Sequence, residues 1–290
     1  MTRIVDSLAD ISEQYDAVFC DLWGCVHDGV RAFPDAVEAL RTFKAQGGTV
    51  LLLTNAPRPR ASVAAQLDRL GVPRDCWDVI ATSGDSARAA MLTGAVGRKV
   101  WHVGEPHDAP FFEKMDLVED AVEITRVPLD EAEGIVCTGP FDPFADPSVM
   151  RPHFLLAKTK RLKLLCANPD IVVDRGDRRE WCAGALAALY TEMGGESLYF
   201  GKPHPPIYDL ARRRLIQMGK ATSDDRILAI GDGIGTDVAG GVGESIDTLF
   251  ITGGLARAET GTDAQPDPTR LARFLTSAQL EPSYAIGMLR

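Results

Sequence analysis

No apolar run in the chain approaches the roughly 20 residues that a membrane-crossing helix needs. The first residues, Met1-Thr2-Arg3-Ile4-Val5-Asp6, lack the apolar core of a secretory leader. A cytoplasmic protein with no membrane partner is therefore expected. An excess of basic residues is missing too: 31 Lys and Arg face 41 Asp and Glu, for a formal net charge of −10. That argues against nucleic acid as a partner, because binding through a basic face needs the opposite balance. An anionic substrate would have to be drawn by local groups or a metal, not by the overall field. The cysteines, six in all (Cys20, Cys25, Cys76, Cys137, Cys166 and Cys182), form no C-x-x-C pair and no Cys/His cluster at zinc spacing. Several sit in apolar runs, where cysteine acts as a small hydrophobe, so reduced thiols are expected. Internal repeats, low-complexity segments and long charge runs are also absent.

What is present is an ordinary globular composition, 45% hydrophobic and 25% charged over 290 residues. That length suits one large domain or two modest ones. The organising stretch is Val18-Phe19-Cys20-Asp21-Leu22-Trp23-Gly24, a buried-strand pattern that ends abruptly on a carboxylate. In open α/β sheets the residue after such a strand faces the ligand crevice. Alone, Asp21 reads equally as a turn or helix-cap carboxylate.

The chain continues in the same style. Pro34 opens a helical pattern with Ala36, Val37, Leu40 and Phe43 on one face, closed by Gly47-Gly48. A strand over Thr49–Leu53 runs into Thr54-Asn55-Ala56-Pro57-Arg58-Pro59-Arg60, and a helix with Val63, Leu67 and Leu70 follows. Val79 to Thr82 is a third strand leading into a helix start at Ser83-Gly84-Asp85. Strands alternating with helices predict an α/β fold, a doubly wound parallel sheet. Lys99–Val103, Gly134–Cys137 and Leu162–Cys166 form a second α/β series, with Phe141–Pro147 as an irregular loop between elements. The first style then returns: Ser197–Phe200, a helix through Ile207, Leu210, Ala211 and Leu215, a strand over Arg226–Ile230, and a strand over Thr248–Ile251. The middle third reads as an insertion.

Four strand-end loops carry chemistry: Asp21, Thr54-Asn55, Lys202, and Asp232 with Asp237. A parallel sheet would bring them to one crevice. Carboxylates hold Mg²⁺, a hard cation that takes one or two of them together with phosphate oxygens and water. A metal and a lysine neutralise a phosphoryl group, and a carboxylate can attack it to give an aspartyl-phosphate.

Asp21-Leu22-Trp23-Gly24, Leu53-Thr54-Asn55, Gly201-Lys202-Pro203 and Gly231-Asp232 with Asp237 together resemble the four motifs of the haloacid dehalogenase (HAD) superfamily. Thr82-Ser83-Gly84-Asp85, Asn168-Pro169-Asp170 and Gly201-Lys202-Pro203-His204-Pro205 are similar to its subclass IIA, the NagD-like and p-nitrophenylphosphatase-like branch. The resemblance implies a Rossmann-like three-layer core over residues 1–82 and 200–290, with an inserted α/β cap over 83–199. It implies a phosphatase acting on a small phosphorylated metabolite, with Asp21 as nucleophile. Thr54 would hydrogen-bond the phosphoryl oxygens and Lys202 would pair with Asp21 and the phosphate. Mg²⁺ would be held by Asp21, the Trp23 carbonyl, Asp232 and Asp237, the last directly or through water. Asn55, Arg58, Asn168 and Asp170 would bind substrate, and caps of this kind imply a homodimer.

One position departs from the pattern. The family's general acid–base Asp, two residues after the nucleophile, is here Trp23, whose indole donates a hydrogen bond but relays no proton. His27 and Asp28 on the same loop are the candidates to replace it. Trp23 also echoes the dehalogenase branch, but that chemistry leaves Asp232 and Asp237 without a task. A binding protein that keeps the metal site without turnover is the competing reading. Taken singly, Lys202 and Arg58 also read as solvated surface charges, and Asp237 as a helix-start carboxylate.

Overall fold

The structure, a computed structural model, describes residues 2–115, 118–175 and 178–290. Its first strands in chain order are β1 (Arg3–Ile4), β2 (Ala17–Cys20), β3 (Thr49–Thr54) and β4 (Val79–Thr82). They are followed by β5 (Lys99–Val103), β6 (Thr125–Arg126), β7 (Gly134–Cys137) and β8 (Lys163–Cys166). The series closes with β9 (Val172–Arg175), β10 (Arg178–Trp181), β11 (Glu196–Tyr199), β12 (Ile227–Gly231), β13 (Asp247–Ile251) and β14 (Tyr284–Ile286). The chain divides into two compact units. Unit 1 takes Met1–Thr54, Ala64–Ala81 and Tyr208–Arg290, and unit 2 takes Asn55–Val63 and Thr82–Ile207.

Unit 1 is organised by a seven-stranded sheet in the order β1-β14-β13-β12-β2-β3-β4. β2 pairs in parallel with β3 on one side and with β12 on the other. Every residue of β2, β3 and β12 is buried, the continuous apolar pattern of inner parallel strands. Helix α1 (Pro34–Ala45) starts on a proline whose fixed φ suits the first turn, and it buries Ala36, Val37, Leu40 and Phe43 as its spacing predicts. Each of the larger side chains contributes roughly 1.5–3 kcal/mol on burial. Gly48 ends the segment because a β-carbon there would lie 2.3 Å from the Phe43 ring. Helix α2 (Arg60–Leu70) buries Val63 and Leu67, while Leu70 is only half-buried.

The sequence pattern stopped at β13. The structure adds a terminal helix over Pro268–Ala278, capped by the Asp267 carboxylate accepting from the Arg270 N–H. Its Leu271 and Leu275 pack with Phe250 and Ala285, and Phe274 stacks on Phe250. β14 and β1, three and two residues long, extend the sheet edge.

Unit 2 contains a five-stranded parallel sheet, β11-β8-β7-β5-β6, and the antiparallel hairpin β9–β10. Successive residues of a strand point to opposite faces. Ile135 and Leu164 belong to one apolar cluster with Phe154, Leu186 and Tyr190, and Val136 and Leu165 to another with Met91, Val100 and Phe111. The sheet is therefore covered on both faces. The helix over Ser83–Leu92 begins where the sequence places it, with the Thr82 hydroxyl accepting from the Asp85 N–H. One turn later Arg88 and Asp85 form a buried ion pair at 3.1 Å. The Arg88 guanidinium also donates to the carbonyls of Phe111 and Glu113 at 2.9 and 3.0 Å.

Candidate active site

In unit 1 three neighbouring parallel strands end at one edge. The register sets Ile230 beside Cys20, and Cys20 beside Leu52, so Asp21 follows β2 level with the ends of β12 and β3. The Asp21 N–H still donates to the Ile230 carbonyl at 2.8 Å. Asp232 follows β12 and Thr54 closes β3, both buried. The sheet thus brings Asp21, Thr54 and Asp232 to a common edge of unit 1.

The chain after Asp21 folds back on itself. The Leu22 carbonyl accepts from the N–H groups of Cys25, Val26 and His27, and the Gly24 N–H donates to the His27 carbonyl at 2.9 Å. Gly24 makes this turn with φ +76, and a β-carbon on it would stand 2.2 Å from Asp232 Oδ2. Gly254 presses on the same carboxylate, where a β-carbon would come within 2.1 Å, and the Leu255 N–H donates to Oδ2 at 3.1 Å. Two bare backbones and one N–H therefore place the Asp232 side chain.

The turn returns Cys25 to the carboxylates. Ligand atoms of Asp21, Cys25 and Asp232, all buried, lie within 4.8 Å of one another. Burial pushes the Cys25 thiol well above the usual thiol range, and the carboxylates of Asp232 and Asp21 push it further. Sequence reasoning missed this residue. The signal was a cysteine four positions after Asp21 across a tight glycine turn.

Asp237 is not one of the three residues of that mutually close group among the described residues. It lies in a widened helical turn, Ile234–Val238, where the Val238 N–H reaches back to the Gly233 carbonyl. Its Oδ2 accepts from the Gly233 N–H at 3.0 Å and the Thr236 hydroxyl at 3.3 Å. Gly231 is required beneath it, since a β-carbon there would lie 2.0 Å from Asp237 Cγ.

In unit 2 a separate polar cluster forms around Asn55. Its side-chain amide donates to Asp170 Oδ1 at 2.8 Å and to the Lys202 carbonyl at 3.1 Å, while its oxygen accepts from the Lys202 N–H at 2.7 Å. Asn168 Oδ1 accepts from the Asp170 N–H at 3.0 Å. The Ser83 hydroxyl ties the Asn55 and Ala167 carbonyls together. Gly201 packs so tightly that a β-carbon would meet Asn55 Oδ1 and Pro169 Cδ at 2.5 Å. Asn55, Asn168, Asp170 and Lys202 are thus brought together, with Lys202 buried. Arg58, half-buried, has its backbone against Gly84, where a β-carbon would lie 2.6 Å from the Arg58 nitrogen.

These two clusters carry the motifs of a known family, and comparison with known proteins decides the matter. Residues 18–118 match the family described as haloacid dehalogenase-like hydrolase, and residues 199–278 match the one described as HAD-hydrolase-like. A solved haloacid dehalogenase-like hydrolase from Brucella suis is 37% identical, covers 99% of this chain and all of its own, and superposes with a TM-score of 0.83. The chain belongs to the haloacid dehalogenase-like hydrolases. The 5'-nucleotidase YutF of Bacillus subtilis is 25% identical over 90% of this chain and 96% of its own length. A glycerol phosphate phosphatase from Mycobacterium tuberculosis, solved in complex with magnesium, shares the fold at 23% identity, with a TM-score of 0.66, over 95% of this chain and 76% of that one. A 4-nitrophenylphosphatase from Thermotoga maritima also shares the fold, at 20% identity and a TM-score of 0.69, over 95% of each chain.

The residues present fit the divalent cation that this family implies. Two buried carboxylates with a third nearby are a hard, anionic oxygen set. Among the described residues, no N–H or O–H donates to the Trp23 carbonyl, which leaves it open as a further oxygen ligand.

The two candidates for a replacement acid do not suit the task. His27 is buried and its Nδ1 accepts from the Gly29 N–H at 3.0 Å. Burial lowers its pKa to about 4, so at neutral pH the ring is uncharged and holds no acidic proton. Asp28 accepts from the N–H groups of Arg31 and Val30, which hold its carboxyl below the usual range and keep it ionised. Both charge states weigh against either residue taking over from the missing Asp.

Proposed function

We propose that the protein is a phosphoric monoester hydrolase that needs a divalent cation, Mg²⁺ for choice, and cleaves a small phosphorylated metabolite through an aspartyl-phosphate on Asp21. The observation that carries this reading is the buried Asp21–Asp232 pair at the ends of two adjacent strands, in a chain of the haloacid dehalogenase-like hydrolases. Asp21, Asp232 and the Trp23 carbonyl would hold the cation, with Asp237 behind them, and the cation would supply charge neutralisation of the phosphoryl oxygens. An Asp21 carboxylate oxygen attacks phosphorus as the ester P–O bond breaks, and water then cleaves the acyl phosphate to return Asp21 and release phosphate. Thr54 is assigned to the phosphoryl oxygens and Lys202 to neutralisation of their charge. Asn55, Arg58, Asn168 and Asp170 are assigned to the substrate. The cap at 83–199 would select that substrate for a core of 1–82 and 200–290, in the cell interior and as a homodimer.

Trp23 shapes the reaction. With an indole at the acid position and neither His27 nor Asp28 able to donate, the departing oxygen leaves without a proton from the protein. Leaving groups that are stable as anions are then favoured over alkoxides. The second reading, a phosphate-ligand binding protein without turnover, rests on the same observation taken to its limit.

The test is phosphate release from a panel containing nucleoside monophosphates, glycerol 3-phosphate, sugar phosphates and p-nitrophenyl phosphate. It is run with Mg²⁺ and with chelator, beside Asp21→Asn. Metal-dependent release abolished in Asp21→Asn supports the hydrolase. Absence of release from every compound, with Mg²⁺ still bound, leaves the binding protein.

A further inference from the structure

The Cys25 thiol has no part in the reaction just described. It is fully buried, and it makes no hydrogen bond to any described residue. Yet the turn on Leu22 aims it at two carboxylates, with its sulfur within 4.8 Å of an oxygen from each. An apolar filler at this position would serve packing without setting a polarizable donor beside two anions. Sulfur contributes little to Mg²⁺, which takes oxygen ligands. It contributes much to borderline and soft divalent cations, for which two oxygens and one thiolate are a suitable set with a fourth position left for water or ligand.

We infer that Asp21, Cys25 and Asp232 form a mixed oxygen–sulfur centre that binds a thiophilic divalent cation, of which Zn²⁺ is the natural example, in competition with Mg²⁺. The inference rests on the reading of Asp21 and Asp232 as cation ligands and adds a third donor to it. The metal–sulfur bond forms as the thiol proton passes to solvent, so one proton is released per cation bound. A thiophilic cation held there occupies the nucleophile Asp21, so loading with it blocks the Mg²⁺ form.

The probes are Cd²⁺ and Co²⁺, whose bonds to thiolate give charge-transfer absorption, titrated into the whole metal-free protein. Mg²⁺ binding is followed in parallel by thermal stabilisation. The expected result is one equivalent of thiolate-bound Cd²⁺, displaced by excess Mg²⁺. In Cys25→Ser, checked for an unchanged circular dichroism spectrum, the band is lost and Cd²⁺ affinity falls by at least about 10-fold, since even outer-sphere partners cost about 10–100-fold. Mg²⁺ stabilisation persists in that variant. A band that survives Cys25→Ser, or one that Mg²⁺ cannot displace from the native protein, places the cation at another thiol and overturns the inference. The competition arm decides this even if the variant does not fold. Mg²⁺ stabilisation with no Cd²⁺ or Co²⁺ band also overturns it, and leaves the proposed phosphatase standing. Binding of neither class of cation overturns both.

Discussion

The Trp23 indole rests against the bare α-carbon of Gly29: a β-carbon there would come within 2.3 Å of Trp23 Cη2. Gly29 also has φ +84, and the His27 ring meets the indole edge-on at 5.4 Å. The orientation of Trp23 is therefore set by its own loop. Gly29→Ala should cost about 1–2 kcal/mol from the backbone alone, with the ring clash added. Urea denaturation will show the loss, and a changed tryptophan emission will show that the indole has moved.

Trp23→Asp puts a carboxyl where the family keeps its acid. Turnover of alkyl phosphates should rise by about 10²–10⁴-fold, the usual worth of positioned acid–base help. Turnover of p-nitrophenyl phosphate should change far less at its first step, because that leaving group departs as an anion. In the native protein the same substrate should give a stoichiometric burst of nitrophenolate followed by a slow phase, as the acyl phosphate waits for an unassisted water. Stopped-flow absorbance separates the two phases. A native steady state without a burst would show that the second step has another base.

Arg88 holds a buried carboxylate in unit 2. Arg88→Met keeps most of the side-chain volume but leaves Asp85 without its guanidinium, and the loss should be about 3–5 kcal/mol by urea denaturation. The reverse charge-free pair, Asp85→Leu with Arg88→Met, should recover part of that loss, because two apolar groups no longer leave a buried charge unmatched.

His102 predicts a pH dependence. Its Nε2 shares a hydrogen bond with the Thr138 hydroxyl, which donates to Asp108 Oδ2 at 2.7 Å. Burial lowers its pKa from 6.5; the Asp108 carboxylate works against that shift and Arg126 with it. Below pH 6.5 the unfolded chain therefore takes up this proton before the folded one does, and stability falls with acidification until the lowered folded pKa is reached. His102→Gln should flatten that part of the profile, measured as urea midpoints between about pH 7.5 and 5.5.

The sequence was most readable where one physical signal was local. β2, β3 and β12 are short, continuous apolar runs, and α1 shows its buried face at helical spacing, so both could be seen directly. β1 and β14 could not: two and three residues carry no periodicity, and their pairing depends on segments at opposite ends of the chain. Asp21 and Asp232 were legible because each follows an unmistakable strand. Cys25 was not, since its approach to them depends on three N–H groups converging on the Leu22 carbonyl, a turn that composition does not announce. His27 and Asp28 were legible as residues but not in charge state, which burial and two backbone donors decide.

The order of the sheet has a consequence for synthesis. β2 lies between β3, made soon after it, and β12, made only after the whole of unit 2. A growing chain can pair β2 with β3 early, and until β12 arrives the other side of β2 is an open, wholly apolar edge of the kind that recruits foreign strands. Ribosome-bound intermediates ending anywhere in unit 2 therefore carry the Asp21 half of the centre with no Asp232 to complete it. The Asp21–Asp232 pair, and anything that depends on it, cannot assemble until the chain's last third is being made.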